Sequence, residues 1–219
     1  MPSTPIIMFL LFSACLPAAS YAEGDWRLVK ETEGIRIYTC AVPGAEIRQL
    51  RAEARVRSTV DRLLRTYLDV ERHTIWYPGC VEARPIRRDG AGHMIFYHRI
   101  ANPWPFKDRD YAFAVDTAGT EEPGGMMARY QNVDGLIPET KGCVRMRKLE
   151  GYWKFLPESD GFVAVTYVFG FDPGVGAPAA FINLSLPKIG HDMIRGLARG
   201  AEAAVAETMV EKRERTGDE

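Results

Sequence analysis

Asn102-Pro103-Trp104-Pro105-Phe106-Lys107-Asp108-Arg109-Asp110-Tyr111 runs straight into Ala112-Phe113-Ala114-Val115, and the reading of this stretch decides the fold. Proline fixes φ and removes a backbone donor, so Pro103 and Pro105 pin a short aromatic loop. The apolar run after it reads as a strand. Tyr111, Phe113 and Val115 are two residues apart and therefore share one of its faces. Upstream, Phe96, His98 and Ile100 share one face of a strand over 93–100 by the same spacing.

Working outward, Leu50, Ala52, Ala54 and Val56 alternate with Gln49, Arg51, Glu53, Arg55 and Arg57. One face of that segment is buried and one is wet, the pattern of antiparallel sheet. An earlier strand spans Ile35 to Tyr38. Ser58-x-x-Asp61 gives a capping-box-like helix start, and Val60, Leu63, Leu64, Tyr67 and Leu68 form a core-facing stripe behind it. Further strands are expected over 81–87, 93–100, 109–117, 126–133, 143–156 and 162–171, separated by turns such as Asp89-Gly90 and Asp160-Gly161. Asp172-Pro173-Gly174 stops the last strand, and Pro178 suits the first turn of a helix. Pro187 predicts a break at Leu186-Pro187, with a longer helix from there to about Lys212. The apolar face of that helix carries Ile189, Met193, Leu197, Ala201 and Ala204. The order gives an α+β domain over 23–219, a curved antiparallel sheet wrapped around a long C-terminal helix. Its concave face has room for a guest, and residues 172–187 read as a lid hinged at both ends.

The chain has 219 residues, 46% hydrophobic and 26% charged, with a net charge of −1. That balance suits one globular domain and gives no basic surface for nucleic acid. Residues 6–16 form an apolar run too short to span a bilayer, followed by Ser20-Tyr21-Ala22, a small-x-small site. This reads as a secretory signal over 1–22, which places the mature protein in the periplasm. Lipidation at Cys15 is the rival reading. Cleavage leaves Cys40, Cys80 and Cys143, which allow at most one disulfide and otherwise act as small buried hydrophobes. His73, His93, His98 and His191 have no metal-ligand spacing, so neither metal nor cofactor is indicated. Gly196-x-x-x-Gly200 is flanked by Arg195 and Arg199, so its glycines read as a site of close approach by sheet or ligand and not as a membrane dimer motif.

Four motifs resemble those of START domains, the lipid-transfer branch of the helix-grip superfamily. They are Asp69 with Trp76, Pro103-x-Pro105 with Arg109-Asp110-Tyr111, Gly142-Cys143-Val144-Arg145, and Asp172-Pro173-Gly174 with Pro178 and Phe181-Ile182-Asn183. The resemblance covers about residues 25–212 and implies one hydrophobic molecule or lipid held in an internal cavity. It places Phe96, His98, Ile100, Tyr111, Phe113 and Val115 on cavity-facing strand positions. Tyr167, Phe169, Phe181, Met193 and Leu197 complete the candidate ligand-binding set, on aromatic content and helix face. Some sterol-binding members carry a buried acid and base where Phe96 and Val115 stand here. Phosphatidylcholine-binding members carry an arginine where His73 stands. Arg109, Asp110 and Arg145 read as structural, Arg145 pairing with Asp110 or Glu150, and Pro103 and Pro105 as loop anchors.

The function implied is transfer or sequestration of one apolar molecule by a monomer with transient membrane contact and no catalytic step. Polyketide cyclases and aromatases use the same pocket as enzymes, and His98, Tyr111 or Arg145 are the acid–base candidates under that alternative. A filled core serving only as an interaction surface is the third. If the leader reading holds, N-terminal sequencing of the exported protein starts at Glu23. A lipid-modified Cys15 identifies the other cleavage class, and an intact Met1 removes the export reading.

Overall fold

The computed structural model describes residues 24–90 and 92–216. The expected leader and Cys15 lie outside the described residues. The strands are β1 (Arg27–Thr32), β2 (Ile35–Cys40), β3 (Gln49–Arg57), β4 (Cys80–Asp89), β5 (His93–Ile100), β6 (Arg109–Gly119), β7 (Met126–Asn132), β8 (Val144–Arg145), β9 (Lys148–Pro157) and β10 (Phe162–Asp172). The helices are α1 (Val60–Leu68), a one-turn α2 (His73–Trp76) and the long α3 (Ala179–Thr216).

These strands form one sheet in the order β1-β2-β3-β10-β9-β7-β6-β5-β4, with β8 attached to β6. Every pairing along that path is antiparallel, and strands adjacent in the sheet are consecutive in the chain except where β10 returns to β3 and where β9 pairs β7 past β8. β10 lies against β3 from Phe162↔Arg57 to Phe169↔Leu50 and against β9 from Val163↔Pro157 to Asp172↔Lys148. The outer strands are irregular. Pairing of β1 with β2 shifts register between Leu28 and Lys30, and β4 shifts twice against β5, at Cys80/Glu82 and Pro85/Arg87.

The sheet curls over α3, which buries Ile182, Leu186, Met193, Ile194, Leu197 and Ala201. Close approach is achieved with glycine. A Cβ on Gly196 would lie 2.2 Å from the Trp76 carbonyl oxygen, and one on Gly200 would lie 3.0 Å from the Trp76 indole. The pair read as a close-approach site therefore receives α2 and its tryptophan. Within the sheet, Gly151 makes room for Tyr130, whose hydroxyl donates to the Val168 carbonyl at 2.7 Å.

Several expectations are corrected. β1 has no alternating face, with five of its six residues exposed, so no periodicity marks it. The segment 143–156 is two strands. Met146 N donates to the Asp110 carbonyl at 3.0 Å and Arg147 N to the Asp172 carbonyl at 3.0 Å, so the chain crosses from β6 to β10 between β8 and β9. The α1 cap is Thr59, whose hydroxyl accepts from Arg62 N at 3.3 Å, while Ser58 N bonds the Gly161 carbonyl. No break occurs at Pro187: α3 is continuous through it. Proline inside a helix costs about 3 kcal/mol, but burying Ile182, Leu186, Met193 and Ile194 around it contributes roughly 1.5–3 kcal/mol each. Tertiary burial overrides the local breaker. Cys40, Cys80 and Cys143 are free thiols, which closes the disulfide alternative.

Gly196→Ala tests the helix contact. A helix gains about 1 kcal/mol from the exchange, but overpacking against a backbone oxygen costs up to about 3 kcal/mol. The expected net loss is about 2 kcal/mol, seen as a fall of about 4–8 °C in the unfolding midpoint. A rise in the midpoint would show that α2 yields freely.

Candidate ligand-binding site

A cavity of about 410 Å³ lies between the curved sheet and the first half of α3. Its walls come from the ends of β5 and β6, the second half of β10, the loop 101–106, the loop 173–177 and α3 residues 181–193. Ile100, Tyr111, Tyr167, Phe169, Phe181 and Met193 of the candidate set line it, and so do Pro103 and Arg109. The rest of the set lies elsewhere. Phe96, Val115 and Leu197 are packed in the core. Phe113 borders a void of about 10 Å³ deeper in the sheet, together with Tyr67, Tyr130 and Trp153. His98 is fully buried behind Tyr111.

The physical reason is aromatic filling. Trp153 stacks on Tyr167 at 4.3 Å between centroids, and Phe96 meets Phe113 edge to face at 5.6 Å. The middle of the concave face is thereby nearly solid, while its end near Arg109 stays open. The lining also includes Tyr77, Phe106, Met146, Phe171, Ile182 and Ile189. The apolar stripe of the last helix already carried a signal for Ile189. For Tyr77, the residue after Trp76, no spacing rule gave one.

The mouth is built by one guanidinium. Arg109 donates from Nε to the Pro173 carbonyl at 3.4 Å, from one terminal nitrogen to the Lys107 carbonyl at 2.5 Å and from the other to the Val175 carbonyl at 3.2 Å. It ties the proline loop to the loop before α3. Phe106 stacks on Phe181 at 5.3 Å across the opening. Outside, Trp104 is 92% exposed, Leu184 80% and Val175 63%. Lys188 is paired with Asp192. The start of α3 is also pinned: Asn183 accepts from Arg48 N and donates to the Glu46 carbonyl, both at 2.9 Å. With α3 unbroken at Pro187, residues 172–187 lack the inner hinge expected of a lid.

Next to the cavity, Asp110 is fully buried and takes two bonds from Arg145, at 2.9 and 3.0 Å, and one from the Thr140 hydroxyl at 2.5 Å. Of the two partners expected for Arg145, it has Asp110; Glu150 pairs with Lys148. Arg145 also donates to the Ile137 and Pro138 carbonyls, which commits it to structure. A second buried polar group is a chain. His73 Nε2 lies 2.7 Å from the Tyr67 carbonyl, His73 Nδ1 lies 2.8 Å from His98 Nε2, and His98 Nδ1 lies 3.3 Å from the Tyr111 hydroxyl. Tyr77 follows, 3.4 Å from Tyr111. Burial lowers the His73 imidazolium to about 4 and drives His98 well down, helped by its neighbour His73. Burial pushes the Tyr77 phenol up to about 12 and raises Tyr111 well above the ordinary phenol range.

Residues 56–198 match the family described as polyketide cyclase / dehydrase and lipid transport. This chain belongs to that family. An uncharacterised protein of Pseudomonas aeruginosa is 30% identical over 179 residues, covering 81% of this chain and 87% of its own. Among solved structures, the STAR-related lipid transfer protein of Xanthomonas axonopodis superposes with a TM-score of 0.76 at 24% identity, over 81% of this chain and 98% of that one. Human STARD10 superposes with a TM-score of 0.74 at 16% identity, over 90% of this chain and 79% of its own. At these identities the likeness establishes the fold, the helix-grip architecture of START domains.

The histidine pair has a consequence for acid stability. An unfolded histidine binds its proton near 6.5, but folded His73 binds it only near about 4. The unfolded state therefore holds more protons in that window. The stabilisation is complete above 6.5 and is lost as pH falls toward 4, by about 3 kcal/mol from His73 alone. Denaturant titrations across that window check the loss, and the His73 ring resonance should stay neutral until about 4. A resonance titrating near 6.5 would contradict the buried neutral pair.

Proposed function

We propose that this protein holds one apolar molecule in the cavity under α3 and carries it through water, outside the cytoplasm, without altering it chemically. The observation that supports this most directly is the cavity, which is about 410 Å³ and walled by Ile100, Phe169, Phe181, Ile189 and Met193. Burying ligand surface there is favourable by roughly 25 cal/mol per Å², offset by the loss of freedom on association. The exposed Trp104, Val175, Phe181 and Leu184 around the mouth suit brief contact with a membrane that donates or accepts the molecule. The Phe106–Phe181 stack spans the opening, so exchange proceeds when those rings part.

The family also contains cyclases and dehydrases, which need a group able to exchange a proton with the guest. Here Arg145 is fully engaged by Asp110 and two carbonyls, and His98 stands behind Tyr111. Those arrangements favour binding over turnover.

Two measurements test the proposal. Native mass spectrometry of protein taken from its own envelope should show a bound lipid-sized mass. Ile189→Trp, which fills the cavity from α3, should weaken binding of a fluorescent apolar probe about tenfold or more, with the unfolding midpoint moved by only a few degrees. Unchanged probe binding in that variant would move the ligand out of this cavity.

A further inference from the structure

A second recess lies on the outer face of the sheet, and β3 creates it by leaving early. Pairing of β10 with β3 stops at Phe169↔Leu50, while pairing of β10 with β9 runs on to Asp172↔Lys148. Beyond Gln49 the chain turns toward α3, where Arg48 N donates to Asn183 Oδ1 at 2.9 Å. Residues 170–172 therefore have a strand on one side only. The Asp172 carbonyl accepts from Arg147 N at 3.0 Å, on the β9 side. Neighbouring residues of a strand direct their backbone groups to opposite sides, so the N–H and C=O of Phe171 point to the side that β3 has left. A groove of about 380 Å³ opens there, walled by the loop 42–48 and the ends of β9 and β10. Gln49 and Gly170 each alternate with residues of the concave face, so the groove lies on the face opposite the cavity.

The floor of the groove holds an amide with an unanswered acceptor. Gln49 is 5% exposed, and its Oε1 has no hydrogen-bond partner among the described residues. Gly170 makes room for this side chain: a Cβ there would lie 3.2 Å from Gln49 Nε2. A buried acceptor costs stability unless something outside the chain answers it. A carboxamide offers an acceptor and N–H donors side by side, the complement of a peptide unit. The charges of the lining differ in what they are free to do. Glu150 is paired with Lys148 at 2.8 Å, and Asp172 accepts from Gly174 N at 2.8 Å. Arg48 and Arg147 have no ion-pair partner among the described residues, which sets two cations against the one remaining carboxylate, Glu46.

We infer that this groove is a docking site for the C-terminal tail of a partner protein, laid along residues 170–172 as an added strand. Phe171 N–H and C=O supply the ladder bonds, and the Gln49 amide takes a further peptide unit. The pairing of Leu50 with Phe169 closes one end of the groove, so the added chain has to stop there. A carboxyl end brings its charge to Arg48 and Arg147, which donate to it, whereas an amino end would set an ammonium beside two guanidiniums. The inference is independent of what the cavity holds, since the two spaces lie on opposite faces of β10.

Tetra-alanine labelled with fluorescein on its amino end tests this on the whole protein by fluorescence anisotropy, as the free acid and as the C-terminal amide. The free acid should bind at a concentration about tenfold or more below the amide, the difference made by a charge-assisted pair. Arg48→Gln and Arg147→Gln, both at exposed positions, should each weaken the acid about fivefold while leaving the amide within about twofold. Gln49→Leu should weaken acid and amide alike, and because it removes an unanswered oxygen it should leave the unfolding midpoint unchanged or raised. A carrier protein ending in the same tetra-alanine should bind as tightly as the short peptide. Equal binding of acid and amide, no binding of either, or binding untouched by the two arginine variants overturns the tail site. Binding of the short peptide without binding of the carrier-borne tail overturns the partner-protein reading. A lower midpoint in Gln49→Leu makes that amide a structural strut and overturns its role in recognition.

Discussion

Strand β10 is the constraint on which the rest of the structure depends. It joins the N-terminal strands to the C-terminal meander, paired with β3 on one side and β9 on the other. Its inward residues Tyr167, Phe169 and Phe171 form a stacked aromatic row, with centroids 5.8 and 4.6 Å apart. The same row is wall to the cavity and platform for Trp153. Sheet closure, core and cavity wall are therefore one set of contacts, and a slip of one residue in this strand would turn all three inside out.

Much of the fold was legible because burial imprints a period. The alternation of β3 and the stripe of α1 were plain in the residues, and the turns fell where glycine and proline marked them. Where burial leaves no period, reading failed. β1 is exposed along nearly its whole length and has no face to announce it. Pro187 signalled a break that burial of Leu186 and Ile182 suppresses, since a local penalty is smaller than the sum of several packed side chains. At the cavity, spacing identified the correct strand face but not how far along it the space extends. Phe96, Phe113 and Val115 share a face with residues that line the opening, yet aromatic neighbours fill the volume above them. That is a matter of side-chain volume summed across strands distant in sequence, which no local pattern encodes.

Charge is handled differently on the two sides of Tyr111. At the start of β6, Asp110 is buried with a full complement of donors, an arrangement in which removing one partner is far more damaging than the pair is beneficial. Beyond Tyr111 the polar groups are neutral and satisfied by one another. Ionic strength is therefore a weak lever on the cavity, while protonation of its histidine backing is a strong one.

The irregular registers of the outermost strands have a bearing on self-association. An open sheet ends in two rows of unused backbone donors and acceptors, and a flat edge invites another chain to continue the ladder. Here β4 carries Pro85 and two register shifts, and β1 carries one register shift among Arg27, Lys30 and Glu31. Each shift skews the spacing of the groups beside it, and each charge would have to be stripped of water to be covered. Both margins are therefore uneven, and neither presents the flat, regularly spaced ladder that edge-to-edge pairing needs.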